Sequence, residues 1–171
     1  MHTDSLTGQI LHDDHHRVLA LLDGLEAFIG RYGEDTLPPP PCGEDRIRLA
    51  ALAEELDSGP IGGLERHFAV EEALFPALAA AGGHELTADL LADHAHILPI
   101  ARRLGRLCRL GLRDGFDAEL WPVFRGFADE LVRSLPLHIQ KEETTLLPAT
   151  DALLTSQDDR LLAGAMTTTA A

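Results

Sequence analysis

Two short segments of the chain each place a glutamate four residues after a histidine. His67 and Glu71 lie in the segment HFAVEEALFP, and His138 and Glu142 lie in HIQKEETTLLP. On an α-helix, side chains four residues apart project from the same face, about one turn from each other. Imidazole nitrogens and carboxylate oxygens together suit transition-metal ions such as iron, manganese and zinc. The two segments are therefore candidate parts of a metal site.

Two single histidines extend this pattern. His15 lies in DHHRVL, upstream of the first pair, and His94 lies in DHAHIL, upstream of the second. Apolar residues flank all the candidate side chains at helical spacing, which predicts that these side chains point into the core. A buried carboxylate without a partner is costly, whereas two cations bridged by two carboxylates would satisfy all of these groups. We therefore predict a two-ion site formed by His15, His67, Glu71, His94, His138 and Glu142.

The ligand types favour iron in this site, with manganese or zinc as possible substitutes, because the set mixes imidazole and carboxylate. The two cysteines, Cys42 and Cys108, form no cluster that matches a thiolate zinc site and no disulfide framework. The N-terminal segment MHTDSLTGQI has no basic stretch that leads into an apolar run, so no signal peptide is expected. We expect a cytoplasmic protein.

The segments that carry the candidate ligands form an internal repeat. The two His-x-x-x-Glu segments align with each other, and DHHRVL aligns with DHAHIL. Helical periodicity predicts four long helices, at residues 5–32, 45–81, 86–111 and 117–148. The expected fold is all-α: an antiparallel up-and-down four-helix bundle in which two helical hairpins are related by an approximate two-fold axis. We assign residues 1–150 to this bundle and 151–171 to a C-terminal tail with a short helix from about Ser156.

Prolines lie inside several of the predicted helices. We expect kinks or short breaks at Pro60, Pro99, Pro122 and Pro136, because proline removes one helical hydrogen bond and clashes with the preceding turn.

Other titratable side chains receive less specific interpretations. Glu72 and Glu143, one residue after the candidate ligands, rotate away from the apolar stripes, and we expect them in solvent. His16 also points off the stripe of its helix. His12 lies three residues before His15, and its role stays open: a seventh ligand, an outer contact to a ligand, or neither.

The charge of the chain excludes some classes of partner. There are 28 acidic and 14 basic residues, which gives a formal net charge of −14. Such a field repels phosphate backbones and anionic lipids, so we expect neither nucleic acid nor a membrane as a partner. The expected partner is a small gaseous or peroxide ligand, and the sequence does not identify a protein partner.

At these positions the chain resembles the hemerythrin, or HHE cation-binding, family. The resemblance covers about residues 10–150 and rests on the segments DHHRVLALL, HFAVEEALFP, DHAHIL and HIQKEETTLLP. Ferritin-like di-iron bundles carry Glu-x-x-His instead, and no glutamate of this chain has a histidine three residues later. The resemblance implies a non-haem di-iron centre with an oxo or hydroxo bridge. It also implies that one iron takes His15 and His67, that the other takes His94 and His138, and that Glu71 and Glu142 bridge them.

The chain departs from oxygen-carrying hemerythrins at one position. Those proteins have a fifth histidine one turn after the first in the third helix, where this chain has Leu98. The set of six residues is also similar to that of the iron–sulfur repair proteins of the family. With four histidines, both irons would keep an open position that can bind and activate a small ligand.

Three functions are compatible with such a site. The first is reaction with O2, NO or H2O2, as a peroxidase-like, catalase-like or NO-reducing oxidoreductase. The second is binding or sensing of O2 or NO without turnover, and the third is iron storage or delivery for repair of iron centres. The symmetric four-histidine set favours reactivity, and whether the chain is an enzyme stays open.

Overall fold

The computed structural model describes residues 4–33, 36–59 and 63–167. These residues form helices and no strands, which confirms the all-α class. None of the described helices is both long enough and apolar enough to cross a lipid bilayer. Seven helices are present in the described residues: α1 (Leu6–Gly30), α2 (Gly43–Leu56), α3 (Gly63–Ala80), α4 (His84–Asp114), α5 (Leu120–Thr144), α6 (Leu146–Leu153) and α7 (Ser156–Thr167).

Each of α1, α3, α4 and α5 buries one seam of side chains that recur at intervals of three and four residues. Such spacing places the seam along one face of a helix, and packing this face against other helices removes it from water. In α1 the seam is Leu11, His15, Val18, Leu22, Leu25 and Ile29. In α5 it is Trp121, Phe124, Ala128, Leu131, Leu135, His138 and Glu142. The candidate ligands thus occupy positions that an apolar side chain takes elsewhere in the seam.

The buried apolar side chains form two clusters, with the candidate ligands between them along each helix. The larger cluster includes Val18 and an aromatic group around Trp121. The smaller cluster includes Leu11 and, from the C-terminal part of the chain, Met166. On α1, His15 lies between Leu11 of the smaller cluster and Val18 of the larger one. The histidine–glutamate layer is therefore closed by apolar packing on both sides.

The predicted helix at 45–81 is wrong as a single element, because the structure divides it into α2 and α3. The backbone of Gly63 adopts a positive φ of 58°, and a side-chain carbon there would lie 2.1 Å from the carbonyl oxygen of Glu55. Only glycine tolerates this turn, so the chain changes direction where α3 begins. Pro60, where a break was expected, lies outside the described residues.

The predicted helix at 117–148 also differs from the structure, since α5 ends at Thr144 and α6 starts two residues later. Pro148 lies in the first turn of α6 and cannot donate the backbone hydrogen bond that would continue α5. The helices are not interrupted at the other prolines: α4 continues through Pro99, and α5 continues through Pro136. Pro122 lies in the first turn of α5, where a missing N–H is tolerated.

The C-terminal helices pack against the beginning of the chain. Asp159 of α7 accepts hydrogen bonds from the backbone N–H groups of Leu6 and Thr7, at 2.9 and 2.8 Å. Asp151 of α6 accepts from the backbone N–H of Ser5 at 2.8 Å. These carboxylates satisfy N–H groups that the first turn of α1 cannot pair internally. The division at residue 150, the antiparallel order of four helices and the two-fold repeat stay predictions.

Candidate metal centre

Four helices bring the candidate ligands into one buried layer. His15 comes from α1, His94 from α4, and the two His-x-x-x-Glu pairs come from α3 and α5. None of the six side chains is more than 4% exposed. Their ligand atoms form two overlapping groups, each with all atoms within 4.8 Å of one another. The groups are His15, His67, Glu71 and Glu142, and Glu71, His94, His138 and Glu142.

The carboxylate of Glu71 lies between two pairs of imidazoles. Its Oε1 is 3.0 Å from Nε2 of His67 and 3.6 Å from Nε2 of His15. Its other oxygen, Oε2, is 3.4 Å from Nε2 of His94. Glu71 therefore presents one oxygen to each pair.

Glu142 has the same arrangement from the opposite helix. Its Oε1 is 3.0 Å from Nε2 of His138 and 3.6 Å from Nε2 of His94, and its Oε2 is 3.3 Å from Nε2 of His15. Neighbouring ligands of an octahedral ion with bonds of about 2.1 Å lie about 3.0 Å apart. The observed spacings of 3.0 to 3.6 Å are compatible with ligands that share ions.

Several of these buried polar atoms have no hydrogen-bond partner among the described residues. They are both carboxylate oxygens of Glu71, both of Glu142, and Nε2 of His94 and His138. A buried carboxylate oxygen without a partner carries the full cost of losing its water. A cation between the oxygens and nitrogens would remove this cost for all of these atoms together. By this test the residues fit a metal centre.

The electrostatics of the metal-free layer also favour positive charge. Burial by itself disfavours a charged His15, but contacts with the carboxylates of Glu142 and Glu71 outweigh it and raise its pKa to about 10. For the same reasons the pKa of His94 rises to about 10, and contacts with Glu71 and Asp14 outweigh burial and raise the pKa of His67 to about 9. Burial raises the pKa of Glu71, but the adjacent histidines lower it well below its usual value. Protons thus compensate the carboxylates without metal, and a metal ion would displace them.

The comparison with known families agrees with this geometry. The family model described as hemerythrin HHE cation binding domain matches residues 7–150. The chain belongs to this family. All six candidate ligands lie inside the matched segment, and their buried groups fit a cation site in the HHE domain. No curated protein and no solved structure matches the chain.

Each of the four candidate ligand histidines contacts a second carboxylate through the nitrogen that faces away from the layer. Asp14 Oδ2 lies 3.4 Å from Nδ1 of His67. Asp93 Oδ2 lies 3.3 Å from Nδ1 of His138. A carboxylate that accepts from Nδ1–H fixes the tautomer, so the lone pair of Nε2 faces the site.

The expectation that Glu72 and Glu143 lie in solvent is only partly right, because each also contacts a candidate ligand histidine. Glu72 Oε1 lies 2.9 Å from Nδ1 of His94, and Glu143 Oε1 lies 2.7 Å from Nδ1 of His15. Their side chains nevertheless remain 45% and 23% exposed. Glu72 and Glu143 do point about 100° away from Glu71 and Glu142 around the helix axis. In this direction, however, each of them meets a neighbouring helix. The sequence did contain a signal for these contacts, because each half of the repeat has Asp-His at its single histidine and Glu-Glu after its His-x-x-x.

The outer carboxylates connect the four helices in a closed ring. Asp14 of α1 contacts α3, Glu72 of α3 contacts α4, Asp93 of α4 contacts α5, and Glu143 of α5 contacts α1. Every helix thus supplies one outer carboxylate to the next helix and receives one from the previous helix. This ring holds the imidazoles in position from outside.

An aromatic side chain further restrains one ligand. The ring of Phe68 stacks on that of His94, with centroids 3.9 Å apart and an angle of 2° between the planes. One turn after His94, Leu98 is partly buried and packs against the larger apolar cluster. The position of the fifth histidine of oxygen carriers therefore holds an apolar side chain.

The remaining histidines lie outside the two ligand groups. Nδ1 of His12 is 2.9 Å from Oε1 of Glu143, so His12 contacts the outer ring and not the inner layer. His16 is exposed, in agreement with the sequence interpretation, and His96 is exposed as well. His84 is the exposed first residue of α4, and His2 lies outside the described residues.

Proposed function

We propose that the chain is a non-haem di-iron protein that binds O2, NO or H2O2 and reacts with it. One iron takes His15 and His67, the other takes His94 and His138, and Glu71 and Glu142 bridge the two. The observation that carries this proposal is the placement of each carboxylate, with one oxygen toward each pair of imidazoles. A single ion would not engage both ends of both carboxylates.

The order of the apolar clusters along the helices supports the antiparallel bundle. On α1 and α4 the smaller cluster comes before the ligands, at Leu11 and Leu90, and the larger cluster follows them. On α3 and α5 the larger cluster comes first, and the smaller one follows at Leu74 and, just after α5, at Leu146. The first pair of helices thus runs opposite to the second, as expected for two packed hairpins.

The choice of a small ligand follows from burial. All six candidate ligands are at most 4% exposed, and apolar clusters close the layer on both sides. Only a molecule of a few atoms fits against ligands enclosed in this way. Iron, when bound, supplies an open coordination position and a ferrous–ferric couple.

The chain itself performs the remaining tasks. The inner residues bind the ions, the outer carboxylates orient the imidazoles, and the apolar clusters exclude bulk water. Because Leu98 stands where oxygen carriers have a histidine, each ion receives the same kinds of ligand from the protein: two imidazoles and two carboxylate oxygens. This equality favours reactivity over stable carriage of O2.

The test is anaerobic loading with ferrous iron, followed by elemental analysis and optical spectra after addition of O2, NO or peroxide. We expect about two irons per chain and repeated consumption of at least one of the three ligands. A persistent adduct without turnover would instead support binding or sensing, and release of iron to an acceptor protein would support storage or delivery. Reproducible binding of one ion, or of none, would contradict the di-iron centre.

A further inference from the structure

Two histidines lie one turn apart on the outer surface of α1, next to the proposed centre. Nε2 of His12 is 3.1 Å from Nε2 of His16, and the ring centroids are 4.5 Å apart. His16 is exposed, and the side chain of His12 is 31% exposed. Two imidazoles at this helical spacing can bind the same ion from one face of a helix.

The surface pair repeats the geometry of the buried ligands. His15 and His67 also bring their Nε2 atoms to 3.1 Å. One histidine of each pair contacts a carboxylate through its other nitrogen: Glu143 lies 2.9 Å from Nδ1 of His12 and 2.7 Å from Nδ1 of His15. Donation from Nδ1 of His12 leaves its lone pair on Nε2, the atom that faces Nε2 of His16.

One carboxylate connects the surface pair to the centre. Oε1 of Glu143 contacts both His12 and His15, and His15 is a ligand of the proposed centre. The side chain of Glu143 alone therefore separates the partly exposed imidazole of His12 from that of His15, which is 2% exposed. An ion bound at the surface pair would lie next to the buried layer.

The other half of the repeat has no such pair. In the alignment of DHHRVL with DHAHIL, Ala95 stands opposite His16, and Leu91, 44% exposed, stands opposite His12. His94 and His138 nevertheless lie in the buried layer, so the layer forms in that half without a surface histidine pair. A role of His12 and His16 other than formation of the layer is therefore required.

We propose that His12 and His16 bind a divalent transition-metal ion at the surface and supply it to the buried centre. The supply step rests on the proposed function of that centre. Two imidazoles, with water as the other ligands, suit borderline ions such as Fe²⁺, Co²⁺ and Zn²⁺. The net charge of −14 raises the concentration of cations near the surface. A site with only two protein ligands is open enough to release its ion.

Binding is tested by calorimetric titration of Zn²⁺ into protein whose centre has first been filled with iron. The variant is His16→Gln, which removes one imidazole at an exposed position. The matched control is His84→Gln, since His84 is an exposed histidine at the first residue of α4 and lies outside both ligand groups. We expect one additional weak site in the parent and in the control, and at least about tenfold weaker binding in His16→Gln. Equal titrations for the three proteins would overturn the proposal.

Supply is tested by the rate at which metal-free protein takes up one to two equivalents of Fe²⁺ without oxygen. His16→Gln should fill the centre several-fold more slowly than the parent and His84→Gln, and should reach the same final iron content. Equal rates for parent and variant would overturn the supply step. A parent protein that never fills its centre would contradict the proposed function and the supply step together. In that case Zn²⁺ binding by the histidine pair would be judged by the same titration of the metal-free parent, His16→Gln and the control.

Discussion

The two halves of the candidate centre share their inner residues and differ in what surrounds them. In the half of His15 and His67, Asp14 is paired with Arg17 at 3.0 Å, and Glu143 is covered by His12. Arg17 in turn pairs with the buried carboxylate of Glu55. Arg17 and His12 thus cover the outer carboxylates of this half.

The half of His94 and His138 is more open. Its Glu72 is 45% exposed, and Lys141 pairs with Asp93 at 2.5 Å. A cleft of about 300 Å³ between α4 and α5 reaches this half and is lined by Asp93, His96, Ile97, Ser134, Leu137, His138 and Lys141. The two halves therefore share the side chains that face the layer and the outer carboxylate that contacts each histidine. The side chains around these groups differ between the halves, so two ions with equal ligands would differ in how easily a small molecule reaches them.

The largest expected effect comes from removing a side chain that both halves share. Glu71→Gln or Glu142→Gln should lose both ions, because each carboxylate faces both pairs of imidazoles. His15→Ala should affect chiefly the ion of its own half. Metal content after anaerobic reconstitution measures this, with Glu130→Gln of α5, a half-buried glutamate outside both ligand groups, as control. Retention of one full equivalent in Glu71→Gln would argue against a bridging role.

Substitution of an outer carboxylate should reduce metal affinity by a smaller amount, and the reduction should differ between the two halves. Glu72→Gln and Glu143→Gln should each weaken metal binding by roughly 10- to 100-fold, as expected for groups that orient a ligand histidine. Glu143 should matter more, because it is less exposed and contacts both His15 and His12. Competition with a chelator gives the affinities. Wild-type affinity in both variants would show that the ring is dispensable.

Leu98→His should make the two halves chemically different. The new imidazole would lie one turn from His94 and add a fifth nitrogen ligand to one ion only. We expect a longer-lived O2 adduct and several-fold slower consumption of peroxide. Stopped-flow absorption measures both quantities. If the parent itself forms a long-lived O2 adduct and does not consume peroxide, the preference for reactivity is wrong.

The smallest expected effect is the pH dependence of stability, in which His15 and His94, one from each half, should behave alike. The pKa values of His15 and His94 are both raised to about 10 in the metal-free protein, from 6.5 when unfolded. Their contribution to stability is complete below pH 6.5 and is lost as the pH rises toward 10. Metal binding requires neutral imidazoles, so the gain in Tm on metal loading should be larger at pH 9 than at pH 6. Thermal unfolding with and without metal checks this, and a smaller gain at pH 9 would contradict it.

The sequence predicted the site best where apolar residues at helical spacing surround side chains that can bind metal. The apolar stripes around His67 and Glu71 indicated burial, and the structure brings the ligand atoms of all six residues together. Their binding of metal stays a prediction. The contacts of Glu72 were missed because an isolated helix has only an inner and an outer face. In a bundle, a residue about 100° from the seam meets the next helix.

Helix boundaries depended on local backbone geometry that periodicity does not detect. The break before Gly63 arises from a backbone conformation that only glycine tolerates, within a pattern that otherwise predicts a continuous helix. The end of α5 at Thr144 reflects the missing donor of Pro148 four residues later. Pro99 lies within α4 without interrupting it, so proline alone was an unreliable guide.

Asp151 and Asp159 accept hydrogen bonds from the start of α1, so the C-terminal helices stabilise the helix that carries His15. A chain shortened before Asp151 would leave several N–H groups of the first turn of α1 without acceptors, and that turn would fray. His12 lies in the second turn of the same helix and His15 in the third. Proteolytic trimming of the C-terminus would therefore loosen metal retention, although the six inner residues would remain in the chain.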